Sequence, residues 1–341
     1  MPSKYAIHIE SINNLQIRVL VIGGVLQGES IIIIMSNKES REVHRVVLID
    51  SFRGIHDLLN NYQENWGWHH LSAVCWTHPH DDHTLDLEEI LEDEKLTHLG
   101  HSQNDTLFVF PQILNQFTQE HHVYRDYGHI ICKKPQRPIG ISDNPYNKIN
   151  IFWDFIDDTD DTLHQVCLHF ISPFHNLGDK NLNIAEYDNR SKYNEMSLSC
   201  ILMIDGIPYI YFGGDSPDSQ IEGITPGDKS LINMCEIVKV PHHGSSGSLK
   251  VLDYISNKLR LAIITVFRKD DTVNLPDDVT LERYNEKLLV NDGILYVTDQ
   301  PIIKEECKFG VAELLLEHDR VSRFVMTSHE LYGINQQYER I

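Results

Sequence analysis

The chain has 341 residues, 29 basic side chains against 50 acidic ones, a net charge of −21 and a hydrophobic fraction of 41%. That much apolar material builds a core and excludes wholesale disorder, while 19 glycines, 13 prolines and the absence of a repeat exclude collagen-like and low-complexity classes. The longest apolar stretch, Ile31 to Met35, is too short to cross a bilayer. The acidic balance argues against a broad basic face for nucleic acid or anionic lipid, but not against a local cationic site built on metal ions.

Six scattered cysteines without a CxxC pair, and an N-terminal MPSKYAIHIE without an apolar signal core, read as reduced thiols in a cytoplasmic protein. Residues 16–22 and 30–35 predict two strands punctuated by Gly23, Gly24 and Gly28, and residues 46–50 (VVLID) a third that ends on Asp50. A short amphipathic helix follows over 55–64. A strand over 71–76 (LSAVCW) then delivers the chain into THPHDDH, and 84–96 has helical spacing with an acidic outer face. From about 97 to 165 the pattern loosens into an expected insertion, with the acidic run WDFIDDTDD (153–161) as a solvated loop. Strands return at 166–172, 197–204 and 207–212, the last pair joined by the hairpin signal Asp205-Gly206. Further strands are expected at 235–240, 261–267 and 294–298, with helices over 277–290 and 311–318. No long flexible linker divides the chain. The expected organisation is one α/β domain over 1–300, with an insertion near 97–165, and a C-terminal extension over 301–341.

Twenty histidines is a high count for this length, and the sharpest cluster is Thr77-His78-Pro79-His80-Asp81-Asp82-His83. In a loop leaving a strand end, His78 and His80 can converge on one ion and Asp82 and His83 on a second. Imidazole with carboxylate suits zinc, manganese or iron. Two further strand ends carry Gly213-Gly214-Asp215 and Pro241-His242-His243-Gly244-Ser245. A single polar turn of this kind is commonplace; three strand-end clusters of ligand type in one chain are not.

H-x-H-x-D-H, a later Gly-Asp and a late His pair resemble the metallo-β-lactamase-fold hydrolases, and more closely the hydrolase domain of the ComEC-type DNA-uptake proteins and related choline-esterase-like members. Those show a VGQGD turn, an IDtG strand end, TH-x-x-x-DH, N-x-x-SL, GD and PHHGS. This chain has Val25-Leu26-Gln27-Gly28-Glu29, Leu48-Ile49-Asp50-Ser51, Thr77-His78 through Asp82-His83, Asn194-Glu195-Met196-Ser197-Leu198, Gly214-Asp215 and Pro241 to Ser245, in order from about 17 to 298. It departs in having Glu29 for the usual Asp, His175 as the only candidate for an intermediate His, and Leu275 where a family-like GHP has His.

The resemblance implies a four-layer αβ/βα metallo-β-lactamase sandwich and a dinuclear site, zinc first and manganese as the alternative, in which a metal-bridging hydroxide attacks phosphorus or a carbonyl carbon. His78, His80 and a late His would bind one ion, Asp82 and His83 the other, and Asp215 would bridge. The late ligand is expected to be His242, with His243 facing substrate as acid or hydrogen-bond donor and Asp82 orienting the nucleophile. Asn194, Ser197 and Ser245 are candidates for substrate oxygens. The implied activity is that of a phosphodiesterase, first of all a nuclease. Alternatives are a small ester or phosphocholine-like substrate, or a non-catalytic module in a protein complex. Lys133, Lys134 and Arg137, or Arg268 and Lys269, can supply a local basic strip, and Trp66 and Trp68 beside His69 and His70 can line a pocket.

Overall fold

A computed structural model describes residues 6–24, 28–99, 105–132, 139–141, 150–171, 184–255, 257–269, 273–298, 310–318 and 324–333. In chain order the strands are β1 (Ile7–Ile9), β2 (Leu15–Gly24), β3 (Gly28–Asn37), β4 (Val43–Ile49), β5 (Ala73–Cys75), β6 (Leu107–Pro111), β7 (Ile139–Ile141), β8 (Asn150–Asp157) and β9 (Thr162–Ile171). They continue as β10 (Ser199–Ile204), β11 (Ile207–Phe212), β12 (Ile237–Lys239), β13 (Leu261–Ile264), β14 (Phe267–Lys269), β15 (Val273–Leu275), β16 (Ile294–Val297), β17 (Gly310–His318) and β18 (Phe324–Gly333). The helices are α1 (Ile55–Trp66), α2 (Leu87–Glu92), α3 (His122–Ile131), α4 (Ile184–Tyr187), α5 (Asp218–Gly223), α6 (Pro226–Met234) and α7 (Asp278–Leu289).

Among the described residues two eight-stranded mixed sheets form, in the orders β18-β17-β2-β3-β4-β5-β6-β7 and β1-β8-β9-β10-β11-β12-β13-β16, beside a small two-stranded sheet of β14 and β15. The period of two along each strand decides what lies between them. Ile17, Val19, Val21, Ile31 and Ile33 of the first sheet pack against Phe155, Leu168, Cys200 and Leu202 of the second. The alternate residues Leu20, Ile22, Ile32, Ile34 and Leu48 turn outward under α1, α2 and α3, and Ile201, Tyr211, Val238 and Ala262 turn outward under α5, α6 and α7. The chain is therefore an α/β sandwich of two sheets, each with helices on its outer face. β2 and β3, buried on both faces, form its centre.

Asp205 and Gly206 both take positive φ, 51° and 78°, in the turn that pairs β10 with β11, as the Asp-Gly signal predicts. Two expectations are corrected. Residues 311–318 form the strand β17, not a helix. Leu, Ala and Glu favour helix locally, but β17 fits between β2 and β18 and buries Val311, Ala312, Leu314 and Leu316, so pairing overrides propensity. The acidic run is a solvated turn only over 158–161: residues 153–157 belong to β8, whose buried positions alternate with partly exposed ones, and Asp157 closes its end by accepting from the Ile12 N–H at 2.7 Å and the Thr159 N–H at 2.8 Å. Within residues 97–165, β6, β7 and β8 join the two sheets and α3 packs on the outer face of the first. Among the described residues no helix is long and apolar enough to cross a membrane.

If β17 is structural, Leu314→Ala should destabilise the whole fold by about 2–5 kcal/mol, the cost of a large-to-small change in a packed core. Denaturant unfolding monitored by circular dichroism measures this, and an unchanged midpoint would show the last strands to be an appendage.

Candidate metal centre

Strands β4-β5-β6 run parallel, as do β11-β12-β13-β16, and the carboxyl ends of strands from both sheets meet at one edge of the sandwich. Asp50 follows β4, Thr77 to His83 follow β5, Asp215 follows β11, His242 and His243 follow β12, and Thr265 follows β13. Loops at such strand ends converge on a common crevice.

Asp50, left-handed at φ 59°, anchors the first loop. Its carboxylate accepts from the Thr77 N–H and the Thr77 hydroxyl, each at 2.7 Å, and lies 2.8 Å from His83 Nδ1. The His83 Nδ1–H donates to it, so Nε2 is turned to the cluster, 3.4 Å from Asp215 Oδ1 and 3.8 Å from Asp82 Oδ2. His78 Nδ1 lies 3.0 Å from the Thr77 hydroxyl, and its Nε2 3.1 Å from His80 Nδ1 and 3.8 Å from Asp215 Oδ2. His80 Nε2–H donates to the Arg190 carbonyl at 2.9 Å. Asp215 is aimed by its own N–H, which donates to Ser197 Oγ at 2.8 Å, and Gly214 before it (φ 53°) admits that hydroxyl where a Cβ would sit 2.5 Å away.

The ligand atoms of Asp82, His83, Asp215 and His243 all lie within 4.8 Å of one another, as do those of His78, His80 and Asp215. Two ligand sets therefore share Asp215. Buried atoms here lack a hydrogen-bond partner, among them His83 Nε2 and Asp215 Oδ1. Nitrogen and carboxylate donors left unpaired together are what a divalent cation satisfies, so the residues fit metal ions.

The electrostatics agree. Burial alone depresses His83, but Asp215, Asp50 and Asp82 outweigh it and raise the imidazole well above its ordinary value. Burial raises Asp215 and Asp82, yet His83 and His243 reverse this and hold both below the usual carboxylate range. His78 is pushed well below its ordinary value, chiefly by burial and then by His83, so its nitrogens stay neutral.

The two late histidines have different surroundings. His243 is buried in the four-residue set, its Nε2 3.1 Å from Asp82 Oδ2, while His242 sits beside it with Nε2 accepting from the Asn194 amide at 2.9 Å. Both take φ 50°, a conformation costly for histidine, and both line the same cavity. Asn194 lines the same cavity, whereas Ser197 is fully buried against the Asp215 backbone and Ser245 caps the turn that follows, accepting from the Gly247 N–H at 3.3 Å. His175, Lys133, Lys134 and Arg137 lie outside the described residues. A cavity of about 410 Å³ opens over the centre, lined by Asp82, Asp215, His243, Arg190, Arg268 and Phe267 among others.

A second layer was not legible as such. Lys239, fully buried, donates to Glu29 Oε1, the Thr265 hydroxyl donates to Glu29 Oε2, and His243 Nδ1 lies 3.1 Å from the Thr265 hydroxyl and 3.4 Å from Glu29 Oε2. The pair therefore fixes His243 as Asp50 fixes His83, the carboxylate–histidine arrangement that orients metal ligands. The available signals were a lysine inside the apolar run CEIVKV and the acidic residue after Gly28. Gly28 itself brings β3 under the centre, since a Cβ there would lie 1.9 Å from the Asp82 carbonyl oxygen.

No family model matches the chain, and no curated protein matches it.

Two outcomes follow from this geometry. Lys239→Met strands the Glu29 carboxylate and should cost about 3–5 kcal/mol, whereas Glu29→Gln/Lys239→Met should recover most of that stability yet bind zinc about 10–100-fold more weakly. Chemical denaturation and zinc titration measure the two separately; wild-type zinc affinity in the double variant would reduce the pair to a purely structural role. Because His83 is held protonated by its carboxylates in the free protein, zinc binding should release a proton and strengthen as pH rises toward neutrality. Calorimetry in buffers of different ionisation enthalpy reads that release, and a heat independent of buffer contradicts it.

Proposed function

We propose that the chain is a metal-dependent hydrolase of the metallo-β-lactamase type, with a dinuclear centre, that cleaves phosphodiesters. The observation that carries this reading is the pair of His/carboxylate sets sharing Asp215. The layering of helix, sheet, sheet and helix, and the order of the strand-end motifs, support it further.

On this reading His78, His80 and Asp215 hold one ion, and Asp82, His83, His243 and Asp215 the other. Divalent ions so held supply Lewis acidity and lower the pKa of water to about 7. The chain's own residues do the rest. Asp82, kept ionised by His83 and His243, can accept a hydrogen bond from the attacking water and orient it. His242, neutral because burial depresses it, accepts from Asn194 at Nε2, and the two side chains line the cavity together as a polar wall for substrate. Arg190 and Arg268 line the cavity and offset phosphate charge, and Phe267, stacked on His243 with ring centroids 5.1 Å apart, gives it an apolar wall. A cavity of about 410 Å³ in a chain of net charge −21 favours a single strand, a strand end or a small diester over a long duplex.

Turnover of bis(p-nitrophenyl) phosphate and of single-stranded DNA, with zinc or manganese added, tests the proposal. Both should be cleaved, and His80→Ala or Asp82→Ala should lose more than about a hundredfold in rate with the circular dichroism spectrum unchanged. Cleavage confined to carboxyl esters would remove the phosphodiester assignment, and wild-type rates in both variants would remove the hydrolase assignment.

A further inference from the structure

The strand pair β14 and β15 stands at the rim of the cavity over the His/Asp centre and contributes Phe267, Val273 and Leu275 to its lining. Register fixes which face these residues share. Phe267 pairs with Leu275 and Lys269 with Val273, so the period of two puts Phe267, Val273 and Leu275 on one face and Asn274 on the other. Phe267 marks its face as the one turned to the centre, since its ring stacks on His243 at an interplanar angle of 27°. The far end of the pair is tied to the ligand loop as well: the Asp277 N–H donates to the Gly244 carbonyl at 3.1 Å, and the Ser246 N–H donates to Asp277 Oδ2 at 2.6 Å. The strand pair is a wall fixed to the loop that carries His243.

Phe267 and Val273 remain partly exposed, and Leu85, also partly exposed, adds apolar surface to the same cavity. Much of the polar lining is already engaged with neighbours. Arg190 donates to Asp126 Oδ2 at 2.8 and 3.2 Å, the Tyr127 hydroxyl to Asp81 Oδ1 at 2.6 Å, and the Asn194 amide to His242 Nε2 at 2.9 Å. Contacts that tell one organic group from another therefore fall to the apolar wall. A quaternary ammonium does not suit it, because such a cation is held by open ring faces and the strand pair offers one ring with one face covered by His243. Apolar side chains on the flat face of two paired strands, one of them aromatic, suit a planar group laid along them.

We propose that the face of β14 and β15 carrying Phe267, Val273 and Leu275 sets the specificity of the site by seating a planar ring, a nucleobase or an aryl group, borne by the phosphate that lies at the His/Asp centre. The inference rests on the phosphodiester reading of this site and narrows it to substrates that carry such a ring, against alkyl and choline esters. The cavity, about 410 Å³, has room for one ring-bearing phosphate group. Val273 is the residue through which the wall is best probed, since it lies outside both ligand sets whereas Phe267 also supports His243.

Phosphate monoesters report the wall by binding alone, without turnover. Isothermal titration of the full chain, with zinc present, compares phenyl phosphate, thymidine 5′-monophosphate, butyl phosphate and methyl phosphate. At least one ring-bearing probe should bind about tenfold or more tightly than methyl and butyl phosphate, and which one does so tells an aryl ring from a base carried on a sugar. Val273→Ser should reduce that preference about three- to tenfold, and Asn274→Ser, on the other face, should leave it unchanged. Butyl phosphate as tight as both rings would overturn the planar group. Equal affinities for all four probes, no saturable binding of any, or a preference undiminished in Val273→Ser would overturn the wall. Diester cleavage is read separately: ring preference without cleavage of any diester would remove the hydrolase reading and keep the wall, and cleavage without ring preference would do the reverse.

Discussion

The structure turns on how charge is buried at one edge of the sandwich. Asp50, Asp215, Glu29, His78, His83, His243 and Lys239 are all nearly excluded from water. Each such group is costly unless paired. Asp50 answers Thr77 and His83, and Glu29 answers Lys239 and Thr265, so two carboxylates are spent on holding two histidines still. Asp82 and Asp215 face those histidines from the other side with their hydrogen-bonding capacity incompletely used. A cation would resolve that imbalance, and the His/Asp groups at this edge could hold one.

The backbone makes such crowding possible. Left-handed residues at Asp50, His242 and His243 turn the chain sharply where strands end, and glycines at 28 and 214 let neighbouring backbone and hydroxyl groups approach within distances a side chain would forbid. The ligands rise from strand ends in both sheets, so the inter-sheet core built from Ile17, Ile33, Leu168 and Leu202 sets the spacing of the site. A core cavity far from the cluster would therefore loosen ligand geometry, not only stability.

The ligand loop was legible because its residues are consecutive: H-x-H-x-D-H after an apolar strand needs no tertiary information. Asp215 and the late histidine pair were legible as types at strand ends, but which histidine turns inward depends on two successive left-handed φ angles that spacing does not encode. Lys239 and Glu29, 210 residues apart, meet only after the sheets pack, and nothing local marks them as partners. The strand at 310–318 was hidden for a different reason. Its sequence suits a helix, and only the open edge of β2 makes it a strand. Residues 150–157 failed likewise because their acidity masked a clean alternation of buried and exposed positions.

Six ionisable residues at one edge of the sandwich converge beneath a single cavity and could hold metal ions. Metal content per chain bears most directly on what they hold. Plasma mass spectrometry on protein purified without chelators or a histidine tag should find close to two transition-metal ions per chain. A protein that holds no metal and takes up none on titration with zinc or manganese would contradict the account.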